Sequence, residues 1–225
     1  MNEPKNISVA GKERVEKALK EHGLLLIQGQ WEIPSLADLL KGKPITTKGY
    51  SWDYVPAWKY SDGLTRRPHL AFLKLFRGKN TIVEKAWWPY LHILALKSVE
   101  TVLAGKMGKD EQRFLQLVCE SPGISGEKIK EKLKINSNDF QKIKNNLEKW
   151  LCIWGIERSD VECHTHDQAW WPWKEGKIAK FIKTAERVPT PEEAQKYLSD
   201  LIQAQSSKKS TITLLFPVLK VISKI

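Results

Sequence analysis

One predicted helix, residues 139–151, carries amide and ammonium side chains on the side opposite its apolar residues. Its apolar positions are spaced by three and four residues, as on a buried stripe: Phe140, Ile143, Leu147 and Leu151. Amides pair with base edges in a groove of nucleic acid, and ammonium groups contact phosphates. The pattern predicts an outward face that meets a polyanion, with Glu148 on the same face. The candidate contact residues are Gln141, Lys142, Lys144, Asn145 and Lys149.

A second basic element surrounds a predicted β-hairpin. The strand-like runs 69–76 and 80–85 flank Arg77-Gly78-Lys79, and a glycine-containing loop between such runs is typical of a hairpin. Residues 66–85 hold six Lys or Arg against one acid, a local net charge of +5. We expect this hairpin to lie along a phosphate backbone. Its candidate contact residues are Arg66, Arg67, Arg77 and Lys79.

Two carboxamides flank a glycine in Gln28-Gly29-Gln30, just after the first predicted helix. In extended chain, side chains two residues apart project to the same side. Gln28 and Gln30 are therefore candidate catalytic residues that orient a water molecule or read a base. The alternative is a polar turn that joins the helix to a loop.

Metal-capable and aromatic side chains also cluster. Cys163, His164 and His166 are close in sequence, but a strand would point Cys163 away from the two histidines, and no zinc-binding spacing is present. We therefore expect no metal and no cofactor. The Trp87-Trp88 and Trp170-Trp171-Pro172-Trp173 clusters suit core packing, with base stacking as the alternative.

Composition limits the class of protein. The chain has 225 residues, 41% of them hydrophobic and 28% charged, which is ordinary for a globular protein and argues against disorder. Its net charge of +11 favours polyanionic partners such as DNA, RNA or anionic lipid, although a merely basic protein remains an alternative.

The compartment is predicted from the cysteines and from both ends of the chain. Three widely spaced cysteines suit a reducing compartment, and residues 1–23 lack the apolar core of a signal peptide, so we expect a cytoplasmic protein. The apolar residues 211–225 are too few to cross a bilayer. We expect no membrane partner and read this tail as a segment docked on the core or on a second copy of the chain, a route to a homo-oligomer.

The order of predicted elements suggests two similar modules and a C-terminal part. Before residue 105 we predict helices at 8–22, 33–40, 54–64 and 87–103, a short buried strand or helix extension at the apolar run 24–27, and the hairpin. After it we predict helices at 111–120, 125–133 and 139–151, strands at 152–158 and 161–166, and helices at 174–187 and 191–204. Asn138 and Gln141 resemble a capping box at the start of the 139–151 helix.

This order predicts an α+β, mainly helical fold of tandem winged-helix modules with β-hairpin wings. The predicted domains are 1–105, an N-terminal winged-helix-like module with the basic hairpin, 106–173, a winged-helix module, and 174–225, C-terminal helices with the apolar tail.

Three stretches resemble a known family. They are residues 32–36 with Lys41-Gly42, residues 73–79 leading to Trp88-Pro89, and residues 147–149 continuing through 162–165 to Trp173. Together they make the chain similar to a short form of the bacterial winged-helix proteins related to the AlkZ-type alkylpurine DNA glycosylases.

The resemblance implies tandem winged-helix modules and DNA binding. The glycosylases carry a glutamine, hydrophobic, glutamine (or aspartate) motif near the first helix, and Gln28-Gly29-Gln30 is similar to it with glycine in the middle position. The chain is also much shorter than the full enzymes.

Three functions follow as hypotheses. The first is a DNA-binding winged-helix protein without catalytic activity of its own, with duplex DNA as the partner. The second is a DNA N-glycosylase-like hydrolase that uses Gln28 and Gln30 at a flipped nucleotide. The third is a winged-helix module for protein interaction or dimerisation.

Overall fold

The same order of elements occurs twice in this protein. The computed structural model describes residues 7–28, 33–43, 55–75, 78–157 and 168–205. In this part of the chain the protein is mainly helical and has two small antiparallel sheets of three strands each. Each repeat consists of a helix, a short strand, two helices and two strands that pair with each other.

The first unit contains residues 9–84. Its sheet has the strand order β1-β3-β2, and β3 pairs antiparallel with both neighbours. The elements are α1 (Val9–His22), β1 (Leu24–Leu26), α2 (Leu36–Lys41), α3 (Val55–Thr65), β2 (Leu70–Lys74) and β3 (Asn80–Glu84). The three helices and the hairpin confirm the sequence prediction for this region, and the apolar run 24–27 begins as a strand rather than extending α1.

Local signals set the ends of the first two helices. The hydroxyl of Ser8 accepts a hydrogen bond from the backbone N–H of Gly11 at 3.1 Å, and that of Ser35 accepts one from Asp38 at 3.2 Å. Such side-chain caps satisfy N–H groups that have no partner within the helix. Gly23 ends α1 at φ 69°, a left-handed conformation that glycine adopts without steric cost.

The first sheet is buried on both faces, which explains the unbroken apolar run 24–27. Leu24 and Leu26 pack into a central core, whereas Leu25 and Ile27 pack against α1, α2 and α3. Because alternate residues of a strand point to opposite faces, a sheet covered on both sides needs apolar residues at every position.

The second unit contains residues 109–172. Its sheet has the order β4-β6-β5, the same arrangement as in the first unit, and β6 pairs antiparallel with both neighbours. The elements are α5 (Lys109–Glu120), β4 (Ile124–Ser125), α6 (Gly126–Leu133), α7 (Ser137–Lys149), β5 (Ile153–Glu157) and β6 (Gln168–Pro172).

Two details of this unit differ from the sequence prediction. Helix α7 begins at Ser137 rather than Asp139, because Asn136, not Asn138, accepts a hydrogen bond from the N–H of Asp139 at 2.9 Å and caps the helix. The partner of β5 in the described chain is Gln168–Pro172, whereas the strand predicted at 161–166 lies outside the described residues.

Helix α4 (Trp88–Leu103) joins the two units and belongs to two cores. Trp88, Leu91 and Leu94 are buried in the central core, and Val99 and Val102 are buried in the core of the second unit. Pro89 lies in its first turn, where the missing N–H costs no hydrogen bond.

Two C-terminal helices complete the central core. They are α8 (Gly176–Lys183) and α9 (Pro191–Gln205), and both pack against α4. The ammonium of Lys177 donates a hydrogen bond to the carbonyl of Leu70 and lies 6.0 Å from the centre of the Trp88 ring. Burial lowers the pKa of Lys177 to about 8. This lysine therefore ties α8 to the first unit.

No helix in the described part of the chain is long and apolar enough to cross a membrane. The apolar residues 211–225, and with them the predicted route to a homo-oligomer, lie outside the described residues.

Two glycines with similar positive φ angles allow a matched test of packing. A Cβ on Gly23 would overlap the indole nitrogen of Trp87, whereas one on Gly78 (φ 75°) would have no described atom within 4 Å. We expect Gly78→Ala to lower the free energy of unfolding by about 1 kcal/mol, the cost of the left-handed conformation. We expect Gly23→Ala to lower it by about 2–4 kcal/mol, because overpacking adds about 1–3 kcal/mol. Urea unfolding followed by circular dichroism measures both, and equal losses would contradict this account.

Candidate functional site

A cavity of about 420 Å³ opens between the two units, and we call it the interunit cleft. The first unit contributes the end of β1, helix α3 and the tip of the β2–β3 hairpin, and the second contributes the last turns of α7. The cleft is lined by Ile27, Gln28, Trp58, Lys74, Gly78, Lys79, Asn80, Asn145, Asn146 and Lys149. Polar and cationic side chains from distant parts of the sequence therefore meet in one place.

Hydrogen bonds of the first sheet position the residues on the first unit's side. Lys74 and Asn80 are direct partners across the hairpin, so Lys79 lies at its tip beside both. The N–H of Ile27 donates to the carbonyl of Asn80 at 3.0 Å, which extends the pairing beyond β1. Gln28 is thereby held next to the hairpin.

A buried carboxylate docks α7 against this hairpin. Glu148 accepts a hydrogen bond from the ammonium of Lys74 at 2.6 Å, and the ammonium of Lys144 lies 3.5 Å from the same oxygen. Lys74 also donates to the side-chain oxygen of Asn145 at 3.2 Å. Because two groups of α7 hold it, Lys74 has a fixed direction in the cleft wall.

Lys144 is buried within the protein and is hardly exposed to solvent. It is 8% exposed, and its ammonium lies 5.5 Å from the centre of the Trp170 ring, within the range of a cation–π contact. Burial lowers the pKa of Lys144, the Glu148 carboxylate opposes this shift, and the nearby Lys74 adds to it. Two ammonium groups share one carboxylate here, which leaves a net charge of about +1 beside the cleft.

The cleft is positively charged. It is lined by Lys74, Lys79 and Lys149, and none of the described lining residues is acidic. Lys79 and Lys149 are exposed, and neither forms an ion pair with a carboxylate of the described residues. The carbonyls at the end of α7 carry partial negative charge, so the attraction for anions comes from the lysines. A concave cationic surface concentrates the field and attracts anionic ligands.

The structure divides the predicted outward face of α7 into three parts. Gln141 and Lys142 are exposed and do not line the cleft, whereas Asn145 and Lys149 line it. The prediction that Lys144 and Glu148 face outward is wrong, because both are buried where α7 meets β2 and β6. The apolar stripe of the helix is confirmed by burial at Phe140, Ile143, Leu147 and Leu151.

The predicted basic residues of the hairpin do not converge. Lys79 lies at the tip, in the cleft, whereas Arg66 and Arg67 precede β2 at the opposite end of the hairpin. Arg67 forms an ion pair with Glu16 at 2.7 Å. Arg77 lies outside the described residues, so its predicted role remains a prediction.

One of the two candidate catalytic glutamines lines the cleft. Gln28 is partly buried there, and Gln30 lies outside the described residues. The sequence did not single out the other polar and aromatic lining residues as site residues, namely Trp58, Lys74, Asn80 and Asn146. The register of the hairpin was the available signal, because it places Lys74 and Asn80 beside the predicted basic tip.

The tryptophan clusters pack in the interior. Trp87, Trp88, Trp170 and Trp173 are each at most 3% exposed. No group of three metal-capable side chains comes together among the described residues, and residues 163–166 lie outside them. The abundance of tryptophan therefore reflects packing at these four positions.

Comparison with known proteins identifies a family. The chain matches a family model described as AlkZ related over residues 9–211. No curated protein and no solved structure matches it significantly.

Removal of the carboxylate between the two lysines tests the docking of α7. We expect Glu148→Gln to lower the free energy of unfolding by about 3 kcal/mol, because it leaves buried Lys144 without a counter-charge. The loss is at the lower end for a broken buried pair, since Lys74 is partly exposed. Urea unfolding measures it.

Glu127→Gln is the matched control, since Glu127 pairs with Lys130 at 2.7 Å but is 76% exposed. We expect it to change the free energy of unfolding by less than about 0.5 kcal/mol. If both variants were equally stable, Glu148 would not have the docking role described here.

Proposed function

The chain belongs to the AlkZ-related family, and on that premise we propose that it is a DNA-binding protein of the DNA-repair class. In this proposal it binds duplex DNA through two winged-helix units, with the interunit cleft against the DNA. The protein has no catalytic activity of its own.

The repeated order of elements supports the winged-helix assignment. A winged helix has a helix, a short strand, two helices and a hairpin, with the short strand paired to the second hairpin strand. Both units have this order, and β1 pairs with β3 as β4 pairs with β6. In this assignment α7 and α3 are the third helices, the elements that commonly enter a groove.

The positive charge of the cleft is the observation that carries the proposal. Lys79 reaches it from the first unit and Lys149 from the second, and Lys74 of the first unit lines it as well. The hairpin of the first unit covers the Lys144 side of α7, so this helix cannot present its whole polar face to a groove. DNA contact is therefore assigned to the cleft and its rim.

The first test is a salt series on duplex DNA. We expect wild-type affinity to fall steeply with salt, because phosphates release counterions when lysines bind them. Lys79→Ala with Lys149→Ala should weaken binding about tenfold or more at low salt. It should also reduce the slope of log K against log salt by about 2, or roughly 0.9 per lost phosphate contact. Fluorescence anisotropy measures both quantities.

The matched control is Lys20→Ala with Lys180→Ala, two exposed lysines of α1 and α8 that do not line the cleft. It removes the same charge and should change affinity by less than about twofold. Equal losses in the two double variants would contradict the cleft. If only Lys142→Ala weakened binding, the DNA contact would lie on the exposed face of α7 outside the cleft. If the wild-type protein did not bind duplex DNA, the proposal would be rejected.

A second function is favoured by one observation, the position of Gln28 in the cleft. A carboxamide can hold a water molecule by hydrogen bonds. In an N-glycosylase-like hydrolase, such a water adds to C1′ of the deoxyribose as the glycosidic bond breaks, and the base leaves with a proton.

Incubation with alkylated duplex DNA separates the two functions. The binding protein that we propose leaves the glycosidic bonds intact, so abasic sites should not exceed those of a control without protein. Turnover by wild type that Gln28→Ala reduces by about a hundredfold would establish the hydrolase instead. Asn138→Ala, which removes an exposed carboxamide outside the cleft, is the control for this variant.

A further inference from the structure

We propose that the interunit cleft receives one unpaired nucleotide of a DNA strand, so that the protein prefers DNA containing an unpaired base to fully paired duplex. This inference rests on the proposed DNA binding and adds the form of DNA that the cleft selects.

The size of the cleft is the first argument. Its volume of about 420 Å³ lies at the lower end of the range of roughly 300–1,000 Å³ for small-molecule sites. A duplex, whose major groove alone is about 12 Å wide, cannot enter such a space. A single nucleotide that has left the base stack has a size that suits this cavity.

The chemistry of the walls is the second argument. Gln28 presents a carboxamide, which offers a donor and an acceptor as the edge of a base does, and Asn145 presents a side-chain amide whose oxygen already accepts from Lys74. Trp58 adds an aromatic ring, and every base can stack on such a ring. The lining therefore suits both the edge and the face of a base.

The position of the charges is the third argument. Lys79 and Lys149 are exposed, and Lys74 is held deeper by Glu148 and Asn145. Exposed lysines from two different units suit the phosphates on either side of a nucleotide whose base points inward.

The experiment compares three short fluorescein-labelled DNAs: a paired duplex, the same duplex with one bulged nucleotide, and that bulge with tetrahydrofuran in place of its nucleoside. We expect the full-length protein to bind the bulged duplex about tenfold more tightly than the paired one, because stacking and edge contacts are added. The tetrahydrofuran bulge should bind like the paired duplex, since it lacks the base.

Variants locate the effect. Trp58→Ala and Asn145→Ala should each remove most of the preference for the bulge, measured in each variant as the ratio of its affinities for the bulged and the paired duplex. Asn145 is exposed on a helix, so its alanine variant keeps the test valid if Trp58→Ala does not fold. Tyr197→Ala and Asn138→Ala are the aromatic and amide controls outside the cleft, and both should keep the preference.

Three results would overturn the inference. They are equal affinity for bulged and paired duplex, a preference that persists with tetrahydrofuran, and a preference that survives both cleft variants. Each of these leaves DNA binding itself intact. Failure to bind any of the three DNAs would instead reject the proposed function.

Discussion

The burial of helix α4 in two cores is the interaction on which the arrangement of the protein depends. Trp88, Leu91 and Leu94 pack with the first sheet and the C-terminal helices, and Val99 and Val102 pack with the second unit. Each such side chain contributes about 1.5–3 kcal/mol when fully buried. A buried ion pair has a net contribution near zero, because desolvation offsets the attraction. Apolar burial therefore supplies the stability of the arrangement, and the Lys74–Glu148–Lys144 group supplies its geometric precision.

The cleft is a consequence of this arrangement. Its walls belong to elements of the first and second units, and α4 and Glu148 together bring those elements within reach of one another. The same contact decides what the lysines do. Lys144 and Lys74 serve the interface, while Lys79 and Lys149 stay available to an anion. The third helix of a winged-helix unit would have only part of its polar face left for DNA if it docked in this way. The proposed DNA contact therefore lies at the cleft.

Much of the fold could be predicted because its signals are local. Ser8 and Gly23 bound α1, Ser35 and Gly42 bound α2, and the structure confirms both helices. The α7 stripe from Phe140 to Leu151 is also confirmed, since spacing alone determines which residues share a helix face. The start of α7 was two residues off because Asn136 and Asn138 are both good caps, and sequence does not say which one accepts the bond. The candidate site was predicted only in part: Gln28, Lys79, Asn145 and Lys149 line the cleft, whereas Lys144 is buried.

The sequence by itself determined the helices, the basic hairpin and the polar and apolar faces of α7, because capping and periodicity act over a few residues. Only the tertiary structure decided that Lys74, seventy-four residues from Glu148, would pair with it and that Lys144 would lie under Trp170. It also decided that Trp58 and Asn80 would meet Lys149 across a cavity. The reason is that a lysine carries the same charge on an open face and in an interface. Its surroundings come from strands and helices far away in the chain, and these decide whether it pairs within the protein or remains open to a ligand.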